Sequence, residues 1–461
     1  MLNTEFDHLL DTAKKLHFMG IGGSGMCPLA EILLAEGKTI TGSDVDAESD
    51  TVKRMQALGA QVIIGQKAGN AGDADLVVYS AAIQKDNPEL LDAIQRGIPT
   101  VERSILLGAL CRRYERTIAV CGTHGKTTTT SMITQILVEA ELDPNIIIGG
   151  KLPLIDGNGR AGKSDLMVCE ACEYVDTFLQ ITPAVAVILN IDADHLEYFG
   201  SVDGIVKSFR QFVAQTSQLV IVNGDDPDSM RAVEGTDKPV ITYGLTEGNT
   251  FTAVNIDTDS ASHWAFDILK NGGFYCHTRL RVPGHHNVLN ALAAAAAADY
   301  AGASPEQIAS GLESFGGAKR RYDVHIVKDG ITVADDYAHH PTEIKAILSA
   351  CKEMSFRKVW AVFQPFTYTR TRDHMQEFAD VLSIADEVLL TEIMAAREVD
   401  DLGVNSSQLQ ALIPGAKLFG SMQELADYAI ANAQEGDLII TMGCGDIYKC
   451  AKMMARMLDE R

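Results

Sequence analysis

The sequence predicts an α/β protein built from more than one parallel-sheet domain. Three observations carry this. Short runs rich in Val, Ile and Leu alternate with helical stretches along most of the chain. Two of these runs lead directly into glycine loops that open helices. At 461 residues the chain exceeds what one ordinary core accommodates.

Apolar runs at 16–19, 39–42, 61–64 and 76–80 predict a first α/β domain ending near Arg116. A second series, 117–121, 166–169, 185–189 and 219–222, is uniformly apolar and bounded by Gly, Asn or Asp. Such strands belong in a parallel sheet covered on both faces. Segments 250–257, 263–269 and 279–282 follow with no room for helices between them, and read as a small antiparallel insertion. Helices at 287–302 and 305–313 close this domain; the alanines 293–298 belong to the first of them. After a hinge at Gly316 and Gly317, runs at 331–334, 359–363, 388–390 and 438–441 predict a third α/β domain. The expected boundaries are therefore 1–116, 117–316 and 317–461.

Composition narrows the function. Hydrophobic residues make up 46% and charged residues 22%, as in a folded globular protein. A net charge of −23 argues against binding a nucleic-acid backbone, which needs basic surface. It leaves a nucleotide site open, because backbone N–H groups can build one locally. No apolar run approaches the ~18–20 residues of a membrane span, so no membrane insertion is expected. Residues 1–15 lack an apolar signal core. The nine cysteines are scattered and suit a reducing, cytoplasmic compartment. Cys169 and Cys172 form a C-x-x-C, but no second pair or matching histidines accompany it, and a buried strand end explains Cys169.

Between the run at 117–120 and a helical stretch at 131–140 lies Gly122-Thr123-His124-Gly125-Lys126-Thr127-Thr128. Glycines let the backbone N–H groups wrap phosphates at a helix N-terminus, Lys126 reaches the β/γ-phosphates, and the Thr127 hydroxyl is placed to hold Mg²⁺. The usual spacing is altered: Val120 stands where the first glycine is expected, and Gly122 and Gly125 are only three apart. Candidate metal ligands follow at strand ends, with Glu170 and Glu173 in one group and Asp192, Asp194 and His195 in the other. Gly20, Gly22 and Gly25 satisfy G-x-G-x-x-G, and Asp44 follows about twenty residues later. Alone, this motif fits a nicotinamide dinucleotide or a nucleotide-sugar diphosphate equally well. The competing classes are thus an oxidoreductase and a nucleotide-hydrolysing regulator.

In combination these residues resemble the Mur ligase family, the ATP-dependent amide-forming enzymes of peptidoglycan synthesis. The resemblance runs nearly the whole length. It rests on GTHGKTTTT at 122–130, Glu170-Ala-Cys-Glu173, Asn190-Ile-Asp-Ala-Asp-His195, Gly284-His-His-Asn-Val-Leu-Asn290, Lys319-Arg-Arg-Tyr322, Asp335-Asp-Tyr-Ala-His-His-Pro-Thr-Glu343 and Gly443-Cys-Gly-Asp-Ile-Tyr448.

It implies a Rossmann-like UDP-binding domain, a central P-loop ATPase domain and a Rossmann-like third domain that closes over the nucleotide. The front motif and DDYAHHPTE look most like the branch that joins L-alanine to the lactyl carboxylate of UDP-N-acetylmuramate through an acyl phosphate. The implied cofactors are ATP and Mg²⁺; the oligomeric state is left open.

By resemblance, Gly22, Ser24, Gly25, Asp44, Ser80 and Ile83 line the UDP-sugar site. Gly122, Thr123, His124, Gly125, Lys126, Thr127, Thr128, Asn287, Asn290, Arg321 and Asp336 hold ATP. Thr127, Glu170 and His195 hold metal, while Lys126, Glu170, His195 and Arg370 carry the chemistry. Two departures stand out: Phe366 replaces the histidine of the family's Q-P-H segment, and Arg210 stands where some relatives carry a carbamylated lysine. For His339 and His340 the tamer expectation is hydrogen bonding and helix capping beside Pro341, and for His339 a functional role is the alternative.

Overall fold

The computed structural model describes residues 3–259, 263–396, 398–400 and 402–461. Its strands form three sheets. The first contains β1 (Lys15–Met19), β2 (Thr39–Asp44), β3 (Gln61–Ile64), β4 (Leu76–Tyr79) and β5 (Thr100–Glu102), ordered 3-2-1-4-5 and wholly parallel. Strand order reverses beside β1. The crevice at the carboxyl ends of β1 and β4 is therefore where a ligand of such a sheet binds. Short β5 escapes the sequence reading because three residues carry no period.

The central sheet holds β6 (Arg116–Cys121), β7 (Asn145–Leu152), β8 (Gly157–Arg160), β9 (Leu166–Glu170), β10 (Val185–Ile188), β11 (Leu219–Asn223), β12 (Val240–Gly244), β13 (Phe251–Thr258), β14 (Trp264–Lys270) and β15 (Gly273–Arg279). Their order is 15-14-13-12-11-10-6-9-7-8. The core strands β9, β10, β6 and β11 are buried along nearly their whole length, which explains why they read as unbroken apolar runs.

Two expectations are corrected here. The small insertion does not stand apart; it continues the central sheet beyond β12. Its last strand runs Gly273–Arg279 instead of 279–282. Asn271 (φ 52°) and Gly272 (φ 77°) form the two-residue turn before it, since both central residues of a type I′ hairpin need positive φ. Asn-Gly is the sequence signal that would have set this register.

The third sheet contains β16 (Asp323–Lys328), β17 (Ile331–Asp336), β18 (Lys358–Phe363), β19 (Glu387–Thr391), β20 (Lys417–Phe419) and β21 (Asp437–Met442), ordered 16-17-21-18-19-20. Only the β16–β17 pair is antiparallel. Strands β17 and β21 are wholly buried. Trp360 is buried and its indole donates to Asp437 at 3.0 Å, whereas Trp264 is only partly buried and packs edge-on against His285.

Packing divides the chain into two units, 1–254 with 267–278 and 289–314, and 255–266 with 279–288 and 315–461. The first unit carries both the first sheet and most of the central one. One apolar cluster runs continuously from Phe6 and Leu33 through Leu107 and Leu110 to Phe178, Phe209 and Phe212. At Gly108 a Cβ would sit 2.1 Å from the Gln180 carbonyl oxygen, so only glycine lets the helix Arg103–Cys111 approach this closely. Alanines 293–298, all at 0% exposure, lie in the helix His286–Ala301 as expected.

A polar network sits inside the first domain. His17 bonds Glu89 through Nε2 (2.6 Å) and Thr41 through Nδ1 (2.8 Å), while the Ser43 hydroxyl donates to the other Glu89 oxygen at 2.8 Å. Buried polar groups cost about 1–3 kcal/mol each when left unsatisfied. Glu89→Ala strands His17 and Ser43 together and is expected to remove about 3 kcal/mol of stability. A urea midpoint equal to that of the unaltered protein would show the network to be dispensable.

Candidate active site

Strand β6 delivers the chain into the phosphate loop, and the helix Lys126–Glu139 receives it. Gly122 (φ 138°) and Gly125 (φ 87°) adopt backbone conformations that side-chain-bearing residues avoid. Space forbids a side chain too: a Cβ on Gly125 would lie 2.7 Å from Asn290 Oδ1, and one on Gly122 2.9 Å from Leu189 Cβ.

The loop is braced from the end of β10. Asn190 accepts from the His124 N–H through Oδ1 (2.8 Å), donates to the His124 carbonyl through Nδ2 (3.0 Å), and accepts from the Thr123 N–H on its own carbonyl (3.0 Å). Asp192 adds an N–H bond to Thr123 Oγ1 (2.9 Å) and a carboxylate contact to His124 Nε2 (3.0 Å). Sequence reasoning placed Asn190 in a motif without assigning it this work. Its position opposite the loop follows from β10 pairing beside β6, which only the fold reveals.

Lys126 curls back over its own loop. Its ammonium donates to the Gly122 carbonyl (2.5 Å), the Thr123 carbonyl (3.1 Å) and both oxygens of Glu173 (3.1 and 2.9 Å). Burial alone would lower its pKa, but the Glu173 carboxylate outweighs burial and holds it above the ordinary lysine value. The lysine is therefore a fixed cation at neutral pH.

Glu170 ends β9, directly opposite Val120 in register, and accepts from the Gly149 N–H at 2.6 Å. Thr127 occupies the first turn of the loop's helix and is buried. A hydroxyl and a carboxylate at the carboxyl ends of adjacent parallel strands make an oxygen-rich donor set that suits a hard divalent cation. His195 lies in a separate loop after β10, in the left-handed region (φ 56°), with Tyr174 against its ring (4.5 Å between centroids) and Asp194 and Glu197 at 3.7 and 3.6 Å. Val175 and Asp176 also carry positive φ, and Asp176 accepts from the Tyr198 hydroxyl at 2.8 Å. Strain of this kind in non-glycine residues persists only where surroundings over-determine it.

Asn290 accepts from Thr129 Oγ1 at 3.2 Å, beneath the phosphate loop; Thr128 continues the same helix. Asn287 donates to the Pro283 carbonyl at 2.6 Å.

The first glycine loop is folded around Asp44. Its Oδ2 accepts from the Gly22 N–H at 2.8 Å, while Oδ1 accepts from Val45 and Asp46. The Asp44 carboxylate thus shapes the loop itself. Ser80 lies beside Gly20 and begins the turn that Ile83 closes through a 3.0 Å bond to the Ser80 carbonyl. A cavity of about 300 Å³ is lined by Ser24 and Gly25 of this loop together with Gly149, Glu170 and Cys172.

In the second unit Asp336 accepts from the N–H groups of Tyr322 and Ala338; burial pushes its pKa up and Arg321 opposes that. Arg321 stacks on Tyr337 at 5.0 Å. Neighbouring Arg320, absent from the sequence-based set, pairs with buried Asp335 (3.1 Å) and donates to the Gly443 carbonyl (2.6 Å). Burial also holds His286 down to about 4, so it is neutral at pH 7. His340 caps the helix Pro341–Glu353 and His339 contacts Glu343 at 3.1 Å, in line with the tamer reading. Arg370 lies in the helix Tyr368–Asp373, whose N-cap Thr367 has φ 61°. Phe366 bridges to Met394 in the strand-end region of the same sheet.

Comparison with known proteins is consistent along the chain. Residues 15–115 match the Mur ligase family catalytic domain, 120–298 the Mur ligase middle domain, and 320–445 the Mur ligase glutamate ligase domain. A UDP-N-acetylmuramate–L-alanine ligase of Caldanaerobacter subterraneus subsp. tengcongensis is 42% identical over 446 residues, which is 95% of this chain and 97% of the relative. The crystal structure of a UDP-N-acetylmuramate–alanine ligase from Thermotoga maritima superposes with a TM-score of 0.83 at 30% identity, covering 97% of this chain and 99% of that one. A murein peptide ligase from Psychrobacter arcticus gives a TM-score of 0.77 at 26% identity, with 97% and 99% covered. No helix among the described residues is long and apolar enough to cross a membrane.

Gly125→Ala meets both the positive φ and the Asn290 oxygen. It is expected to lower kcat/KM for a nucleoside triphosphate at least about 100-fold, the scale of losing one preorganised donor. Steady-state kinetics check this, and a loss below about threefold would mean the loop amides are not what binds phosphate.

Proposed function

The chain belongs to the Mur ligase family, and on that premise we propose that it joins L-alanine to the lactyl carboxylate of UDP-N-acetylmuramate at the expense of ATP. The carrying observation is the 42% identity to a ligase of that activity across 95% of the chain. The local chemistry supports it: a strand–turn–helix phosphate loop and a second glycine loop lie within one packed unit, and the cavity beside the second loop also reaches Glu170.

A carboxylate is a poor acylating agent because oxide is a poor leaving group. Attack of a lactyl carboxylate oxygen on the γ-phosphorus expels ADP and yields an acyl phosphate. The amine of L-alanine then attacks the acyl carbon, phosphate leaves and the amine loses a proton. Catalysis of such a transfer is chiefly positioning and charge stabilisation.

In this reading residues 122–128 wrap the triphosphate and Lys126 exchanges its loop carbonyls for β/γ-phosphate oxygens while keeping Glu173 as counter-ion. Thr127 and Glu170, with His195 from the neighbouring loop, are proposed to hold Mg²⁺, which would draw charge from the phosphoryl oxygens. Asn287, Asn290, Arg321 and Asp336 complete the nucleotide site, and Arg370 serves the acyl group. Gly22, Ser24, Gly25, Asp44, Ser80 and Ile83 receive the UDP moiety. We assign the domain limits 1–116, 117–316 and 317–461 to sugar-nucleotide binding, ATP binding and amino-acid delivery, in a cytoplasmic enzyme.

Phosphate release tests the reaction. It is expected only when ATP, UDP-N-acetylmuramate and an amino acid are all present, with L-alanine the fastest of a panel. Release without an amino acid would mark a hydrolase, and release only with a preformed peptide would place the chain in the peptide-attaching branch. Lys126→Ala is expected to reduce kcat by about 10²–10³-fold or more while calorimetry shows unchanged UDP-sugar affinity. Retained turnover would show the loop to be misassigned.

A further inference from the structure

Two charged side chains, Glu170 and Arg103, line the 300 Å³ cavity, and only one has a role so far. Glu170 stands on the central sheet's wall. Arg103 stands on the other, beside Ser24 and Gly25. It follows β5 and is the first residue of the helix Arg103–Cys111, so the parallel sheet delivers it to the same carboxyl-end rim as the glycine loop. Its guanidinium lies along Gly25: a Cβ there would sit 3.1 Å from Cδ and 3.2 Å from Nε and Nη1. Glycine at 25 therefore leaves room for an arginine as well as for a ligand. Most arginines of this unit are paired; Arg54, Arg112, Arg113 and Arg116 all hold carboxylates at 2.6–2.9 Å or closer. Among the described residues, no hydrogen bond or ion pair engages the Arg103 guanidinium.

A cation without a partner, resting on the loop at the head of the helix Cys27–Ala35, is arranged to receive an anion there. A planar guanidinium presents two parallel N–H groups, which match two oxygens of one phosphoryl group or one from each of two. We propose that Arg103 is a substrate-binding residue that clamps the diphosphate of the sugar nucleotide against the Ser24–Gly25 turn. This extends the ligase reading and rests on it. It also gives the cavity a polarity: the cation fixes the diphosphate at one wall, leaving the acid end of the substrate to reach toward the Glu170 wall.

The test uses the full-length protein and three probes: UDP, UDP-N-acetylglucosamine and UDP-N-acetylmuramate. Calorimetry on Arg103→Met is expected to show all three bound about 10- to 100-fold more weakly, the usual weight of a charge-assisted bidentate contact, with ATP affinity unchanged as proof of folding. Arg103→Lys, which keeps the charge but not the fork, is expected to recover part of the loss. Loss confined to UDP-N-acetylmuramate would transfer Arg103 to the lactyl carboxylate and overturn the diphosphate assignment. Unchanged affinity for all three probes would overturn the clamp while leaving the ligase reading intact. Failure of the unaltered protein to bind any of them would remove the ligase reading itself.

Discussion

Everything in the proposed nucleotide site depends on one short turn being held in a shape its chain would not choose. Between β6 and the helix that follows, the backbone visits the left-handed region at Gly125 and runs extended with positive φ at Gly122. Free in solution, such a turn would sample many other conformations, because glycine restricts it so little. Asn190 removes that freedom by bonding to the N–H and the carbonyl of His124 and to the N–H of Thr123 at once. With the N–H groups of Thr123 and His124 spent on this brace, the shape of the turn is set before any phosphate arrives, which is the condition for electrostatic stabilisation without reorganisation.

The same economy of parts governs charge. A chain with net charge −23 has to concentrate positive potential where a triphosphate binds. In the proposed site that potential comes from main-chain N–H groups and one lysine. Glu173 lies close enough to Lys126 to keep it protonated against burial, yet its carboxylate would repel a phosphate if the lysine left its side. Lysine and glutamate therefore act as a unit: the loop carbonyls are the lysine contacts that a phosphate can replace, and the glutamate contact is the one that anchors the lysine.

Strand order explains why residues far apart in sequence share these roles. In the first sheet the reversal beside β1 opens a crevice at the glycine loop. In the central sheet β9 and β10 flank β6, so Glu170 and Asn190 arrive on either side of the phosphate loop. One apolar cluster then packs both sheets into a single unit, and the wall of each becomes a wall of the same cavity.

Much of this was written in the sequence. Buried parallel strands need apolar side chains on both faces, so β1, β4, β6, β9, β10, β11, β17, β18 and β21 announce themselves. The glycine loops are equally legible, because a phosphate-wrapping turn needs particular residue types at fixed offsets. Strands β5 and β20 are too short for a period, and the β14–β15 register hung on an Asn-Gly turn whose geometry outweighs the surrounding hydrophobic pattern. What tertiary structure alone decided is which group faces which. That Glu173 pairs with Lys126, that Asn190 braces His124, that Asp44 folds its own glycine loop and that Arg103 lies on Gly25 all follow from strand pairing and close helix contact. Those relations depend on distances through space, which a linear order of residues does not encode.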